Sequence, residues 1–87
     1  MDIKLSNDKE ITFNMNAFKL AEYIGMFEDD ENETSEEKQN KVVSKATGMS
    51  AEDIAGLGFE DNRRLFAKFY SKAREVTKDP NSASAST

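Results

Sequence analysis

The densest group of potentially reactive side chains in the sequence is a run of carboxylates near its middle. Seven of the ten residues at 28–37 are acidic. Paired carboxylates can perform acid–base catalysis, but a catalytic carboxyl needs burial to raise its pKa, and a run this polar is typical of a solvated loop. A calcium loop needs a central glycine, which no frame starting in the run supplies. We therefore expect a solvated loop, with weak divalent-ion binding as the alternative.

Other reactive groups are scarce. The chain has no histidine and no cysteine, which removes the commonest general base, the thiolate nucleophile and the usual ligands of zinc. The segment Gly56-Leu57-Gly58 is too short for a phosphate-binding loop. We expect no cofactor, no metal and no enzymatic activity.

Length and charge restrict the function further. The 87 residues carry a formal net charge of −5, so they form one small domain with a modest core and are poorly suited to general nucleic-acid binding. No apolar run approaches the ~20 residues of a membrane span, and the first residues lack the apolar stretch of a signal peptide. We expect a cytoplasmic protein without nucleic acid or membrane as partner.

The charge is distributed unevenly along the chain. Residues 1–37 carry a net charge of −8, whereas residues 38–87 carry +3. A solubilising surface explains such asymmetry in most proteins, and attraction between neighbouring copies is the alternative. A core this small also favours stabilisation by self-association or by a partner.

The N-terminal segment predicts a β-hairpin over residues 2–14. Four apolar residues alternate with polar ones, namely Ile3, Leu5, Ile11 and Phe13, as in strands with one solvated face. We expect a three-residue loop over residues 7–9, whose last residue is left-handed, because this register places Leu5 opposite Ile11.

The next segment predicts a helix over residues 17–27 that is capped by Asn16. Five residues share an arc of about 120° at helical spacing and are expected to face the core: Ala17, Leu20, Tyr23, Ile24 and Phe27. Phe18 and Met26 lie off this arc, so they either pack under the hairpin or lie exposed.

Three further helices are predicted over residues 36–46, 51–55 and 59–76. The second helix begins at the capping box Thr34-x-x-Glu37 and ends at Gly48. The last helix has seven residues on one arc: Phe59, Leu65, Phe66, Phe69, Tyr70, Ala73 and Val76. The fold class is therefore mainly α with an N-terminal β-hairpin, forming a single domain over residues 1–78. Residues 79–87 are polar and small, which predicts a disordered tail.

Several sequence stretches together suggest a family. They are the hairpin, the Asn16-Ala17 helix start, the acidic run after Phe27, Lys45-Ala46-Thr47-Gly48-Met49-Ser50, Phe59-Glu60-Asp61-Asn62-Arg63-Arg64-Leu65, and Asp79-Pro80-Asn81-Ser82. In this order and over nearly its whole length, the chain resembles the small tail assembly chaperones of long-tailed bacteriophages. Asn62 stands where an aromatic residue would be expected in that family.

The resemblance implies a non-catalytic chaperone of the host bacterial cytoplasm that is absent from the mature virion. It would bind the tape measure protein and keep it soluble while tail tube subunits are recruited, the tail tube protein being reached through a longer, frameshifted form. Self-association is also expected. We expect the partner-binding residues to be Phe18, Met26, Met49, Phe59, Phe66, Tyr70 and Val76.

Two other functions remain open from the sequence. A small acidic inhibitor or DNA mimic would block a nucleic-acid-binding partner, but its acids should lie on ordered structure. A helix-turn-helix regulator could be formed by residues 50–73. Its recognition helix would begin with Glu60 and Asp61, which have the wrong sign to face phosphate.

Overall fold

A computed structural model describes residues 1–77, which contain a two-stranded hairpin and four helices. The elements are β1 Ile3–Lys4, β2 Glu10–Ile11, α1 Leu20–Gly25, α2 Ser35–Thr47, α3 Ala51–Ala55 and α4 Phe59–Thr77. The two strands are antiparallel. The predicted fold class, mainly helical with an N-terminal hairpin, is confirmed. The tail predicted over residues 79–87 lies outside the described residues.

The hairpin is shorter than predicted and has a different register. Ile3 pairs with Ile11, so the expected pairing of Leu5 with Ile11 is wrong by two residues. The loop spans residues 6–8, and its left-handed residue is Asp8, with φ of 67°. Aspartate adopts this conformation more readily than lysine, which favours the earlier loop. A two-residue shift keeps every side chain on its predicted face, and Leu5 and Ile11 are buried.

Polar contacts attach the hairpin to helix α4. The N–H and the hydroxyl of Ser6 donate to the two carboxylate oxygens of Asp61, at 3.2 and 2.6 Å. The guanidinium of Arg64 donates to the backbone carbonyl of Lys4 at 3.0 Å. Polar side chains of α4 therefore hold the hairpin in place.

Helix α1 has only six residues, so the predicted range 17–27 is too long and Asn16 is not its cap. The helix begins after Lys19, whose N–H donates to the carboxylate of Glu22 at 2.9 Å. Asn16 instead lies in a preceding turn, where its N–H donates to the Asn14 side chain at 3.0 Å. Because the Asn14 side chain accepts this N–H, the chain forms a turn here, and the helix starts only after it.

The predicted boundaries of α2 and α3 are confirmed within one residue. Thr34 and Glu37 form the capping box, and Gly48 ends α2 in the left-handed conformation with φ of 81°. The hydroxyl of Ser50 accepts the N–H of Asp53 at the start of α3. These short-range patterns act within one turn of helix, so they need no tertiary information.

The core lies between the hairpin, α2, α3 and α4. Its largest fully buried side chains are Phe69, Met26, Ile54, Leu65 and Val43. Val42 and Ala46 of α2 are also buried. The ring of Phe69 lies 5.8 Å from Phe13 of the hairpin, so the last helix packs against the first segment of the chain.

Candidate partner-binding surface

Three large apolar side chains are exposed at and just after helix α1. Leu20 is 71% exposed, Ile24 is 61% exposed and Phe27 is 51% exposed. Leu20 and Ile24 lie one helical turn apart, and Phe27 follows three residues later in the turn that ends the helix. We call these three side chains the α1 stripe. The prediction that they face the core is wrong.

The helix is rotated from its predicted orientation because the residues that flank it pack inward, although Tyr23 of the predicted arc still packs against the core. Met26 is completely buried, and Phe18 packs against the core with its ring 5.6 Å from that of Phe69. Both residues lie outside the α-helix itself, so the helical periodicity that excluded them from the core face does not apply there. The flanking anchors turn Leu20 and Ile24 toward solvent.

An apolar groove continues the α1 stripe toward the end of α4. It has a volume of about 280 Å³. Its lining includes Met15, Phe18, Leu20, Tyr23, Ala73 and Val76. Leu20 belongs to both the stripe and the groove, so the two surfaces are continuous. Val76 is 53% exposed at the groove.

Aromatic rings support this surface from beneath. The ring of Phe27 lies 5.4 Å from that of Tyr23 and 6.1 Å from that of Tyr70. Tyr23 and Tyr70 in turn lie 6.2 and 5.8 Å from Phe69 at the centre of the core. The hydroxyl of Tyr70 donates to Gln39 of α2 at 2.5 Å. Burial raises the pKa of Tyr70, which keeps this hydroxyl protonated as a donor.

A second, more polar cleft lies between α2, α3 and the start of α4. It has a volume of about 680 Å³, and its lining includes Glu36, Gln39, Phe59 and Arg63. Phe59 is 80% exposed. The guanidinium of Arg63 lies 5.3 Å from the centre of the Phe66 ring. This cleft is separate from the groove and offers mixed charge rather than a continuous apolar surface.

The predicted partner-binding residues divide between core and surface. Met26, Met49 and Phe66 are 0%, 6% and 5% exposed, so the expectation that they contact a partner is wrong. All three belong to the hydrophobic core cluster. Phe18 and Tyr70 are half-buried and support the groove and the stripe, whereas Phe59 and Val76 are exposed.

Sequence reasoning missed the α1 stripe, although a signal was present. The segment over residues 17–27 has more apolar residues than one face of a short helix can bury, because apolar side chains occur on both of its sides. One side must therefore remain exposed. Which side is exposed depends on Phe18 and Met26, because these two residues pack into the core.

The acidic loop is ordered by its own carboxylates. Asp30 accepts the N–H groups of Asn32 and Glu33, both at 2.7 Å, and forms an ion pair of 2.8 Å with Lys38. These interactions, the lysine first, lower the pKa of Asp30 to about 2. The ammonium of Lys38 also donates to the backbone carbonyl of Glu28 at 2.8 Å. The loop is thus a hydrogen-bonded structure next to α1.

The carboxylates with shifted pKa values are all more acidic than usual. A hydrogen bond from Lys45 lowers the pKa of Glu22, and one from the Phe13 N–H lowers that of Asp2. Among residues 1–77, no group of three or more acidic side chains is arranged to hold a metal ion. The helices in the same range are too short or too polar to cross a membrane.

Comparisons with protein families, with curated proteins and with solved structures find no match for this chain.

Proposed function

We propose that this chain is a non-catalytic tail assembly chaperone of a long-tailed bacteriophage. It binds the tape measure protein and keeps it soluble while tail tube subunits are recruited. The observation that carries the proposal is the α1 stripe, in which Leu20, Ile24 and Phe27 are all more than half exposed. Large apolar side chains grouped on the surface of a small domain are typical of a site that another protein covers.

The stripe and the groove suit a helical client. Helices bind in grooves through apolar residues that recur every three or four positions, and the stripe has this spacing itself. The groove beside Leu20 provides a recess for a larger anchor, and Val76 extends its apolar wall. A chaperone of this kind covers apolar helices of its client and releases them without covalent chemistry.

The remaining parts of the proposal come from the family resemblance. The tail tube protein is recruited through a longer, frameshifted form, copies of the chain associate on the client, and the protein acts in the host cytoplasm without entering the mature virion. The mixture of acidic and basic segments supports association between copies.

The test is co-expression with the tape measure protein from the same genome, scored by the soluble yield of that client. The wild-type chain should raise the yield and co-purify with the client. The double variant Leu20→Ser/Ile24→Ser should fold but lose this effect, because it removes the stripe without touching the core. The control Lys9→Ser/Glu52→Ser changes two exposed side chains outside the proposed surface and should retain it. A client that stays insoluble with the wild-type chain contradicts the proposal.

An acidic inhibitor that mimics DNA is the alternative function. Three acids are already paired with lysines of α2: Asp30 with Lys38, Glu33 with Lys41, and Glu22 with Lys45. Carboxylates that are neutralised within the chain are poorly placed to imitate phosphates. An inhibitor would compete with DNA for its target and weaken as salt is raised, whereas apolar binding to a client would resist salt.

A further inference from the structure

We infer that the α1 stripe binds an amphipathic helix whose apolar face is followed by basic residues, and that these basic residues lie over the acidic loop after Phe27. The inference rests on the proposed function, since it specifies the chemistry of the client segment that the chaperone recognises.

The apolar part of the site determines the length of the contact. From Leu20 to Phe27 the stripe extends about 10 Å at the rise of an α-helix. A partner helix can therefore place about two turns on the stripe. An apolar side chain beyond these turns can enter the groove between Leu20 and Val76. Burial of this surface provides most of the affinity.

The acidic part of the site begins where the stripe ends. Glu28 and Glu31 are exposed, and neither forms an ion pair with another residue of the described chain. The loop that carries them is held beside α1, because the Lys38 ammonium contacts the carbonyls of Gly25 and Glu28, at 3.5 and 2.8 Å. Uncompensated negative charge is thus fixed next to Phe27.

The negative charge beside Phe27 favours one of the possible occupants of the stripe and the groove. Residues 78–87 of the chain contain no apolar side chain larger than proline, so they cannot fill an apolar groove. A second copy that paired its own stripe with this one would bring an equally acidic segment, since residues 1–37 carry a net charge of −8. Segments of like sign repel, whereas lysine or arginine beyond an apolar face would be attracted.

The test uses two synthetic peptides of about five helical turns that share one leucine stripe. One peptide carries three lysines at one end, and the other carries three glutamates there. Binding to the full chain is measured by fluorescence anisotropy at low and high salt. The lysine peptide should bind about tenfold more tightly at low salt, because each exposed ion pair contributes a small factor. The preference should shrink as salt screens the charges.

Two matched variants locate the charge effect. Glu28→Gln/Glu31→Gln should abolish the preference for the lysine peptide while leaving the affinity for the glutamate peptide no weaker. Glu10→Gln/Glu52→Gln makes the same change in net charge on other elements and should retain the preference. Equal effects of the two double variants would overturn the inference in favour of general charge attraction.

The remaining outcomes separate this inference from the proposed function. If the wild-type chain solubilises the tape measure protein but does not prefer the lysine peptide, the basic flank is wrong and the chaperone proposal stands. If Leu20→Ser/Ile24→Ser abolishes self-association in sedimentation without changing peptide binding, the stripe is an interface between copies and the inference fails. If neither the client nor a peptide is bound, both proposals fail.

Discussion

The carboxylate of Asp2 and the ammonium of Lys72, seventy positions apart in the chain, form an ion pair of 3.0 Å between the N-terminal hairpin and helix α4. Asp2 also accepts the N–H of Phe13 at 2.8 Å. This backbone hydrogen bond and the lysine hold the pKa of Asp2 below its ordinary value. The start of the chain is therefore held both to its own hairpin and to the last helix.

We expect Asp2 and Lys72 to be energetically coupled. A double-mutant cycle with Asp2→Asn and Lys72→Met should give a coupling of about 0.5–1 kcal/mol in urea unfolding, because both groups are partly shielded from water. The exposed pair Lys4–Asp8 is the control, and its cycle should give a coupling near zero. Equal coupling in the two cycles would show that the Asp2 pair has no special role.

Truncation of Met26 should be far more costly than truncation of Leu20. Met26→Ala leaves a cavity in the core and should lower the free energy of unfolding by about 2–5 kcal/mol. Leu20→Ala changes an exposed side chain and should alter it by no more than about 0.5 kcal/mol. Chemical denaturation of both variants measures the difference. Similar losses would contradict the observed orientation of α1.

Two glycines provide a matched test of backbone strain. A Cβ at Gly48 or at Gly25 would meet no atom within 4 Å, but only Gly48 has a positive φ, of 81°. Gly48→Ala should therefore destabilise the protein by about 1 kcal/mol. Gly25→Ala should be neutral or stabilising by up to about 1 kcal/mol, since alanine favours the helix. In thermal melting, Gly48→Ala should lower the melting temperature and Gly25→Ala should not.

Stability should fall at acid pH partly through Asp30. Its pKa is about 2 in the folded protein, against an ordinary value of 3.8. The unfolded chain therefore takes up this proton first, so the stabilisation is complete above pH 3.8 and is lost as the pH falls toward 2. The variant Asp30→Asn should show a shallower loss over this interval in denaturation curves. The control Glu36→Gln should follow the wild type more closely.

The ends of α2 and α3 could be predicted because they depend on neighbours in sequence. The Thr34 capping box, the Ser50 cap and the Gly48 terminus each act within a few residues, and all three are observed. The face of α1 could not be predicted in this way. It depends on Phe18 meeting Phe69 and on Met26 entering the core, and these contacts join distant parts of the chain.

Only part of the candidate surface could be predicted from the sequence. Phe59 and Val76 are exposed where the amphipathic arc of α4 extends beyond its neighbours. Met49 and Phe66 are buried because helices converge around them, and no pattern within a single helix reveals how many neighbours it has. The predicted hairpin register was wrong for a local reason. The left-handed turn conformation that Asp8 adopts outweighed the argument from side-chain pairing.

None of the six residues of helix α1 is buried. Elements with few buried contacts open locally at a lower free energy than the whole domain, so the amides of α1 should exchange with deuterium well before those of α2 and α4. A bound client helix would supply the missing contacts. The proposed recognition element should then be less protected than α2 and α4 in the free protein and should gain protection on binding.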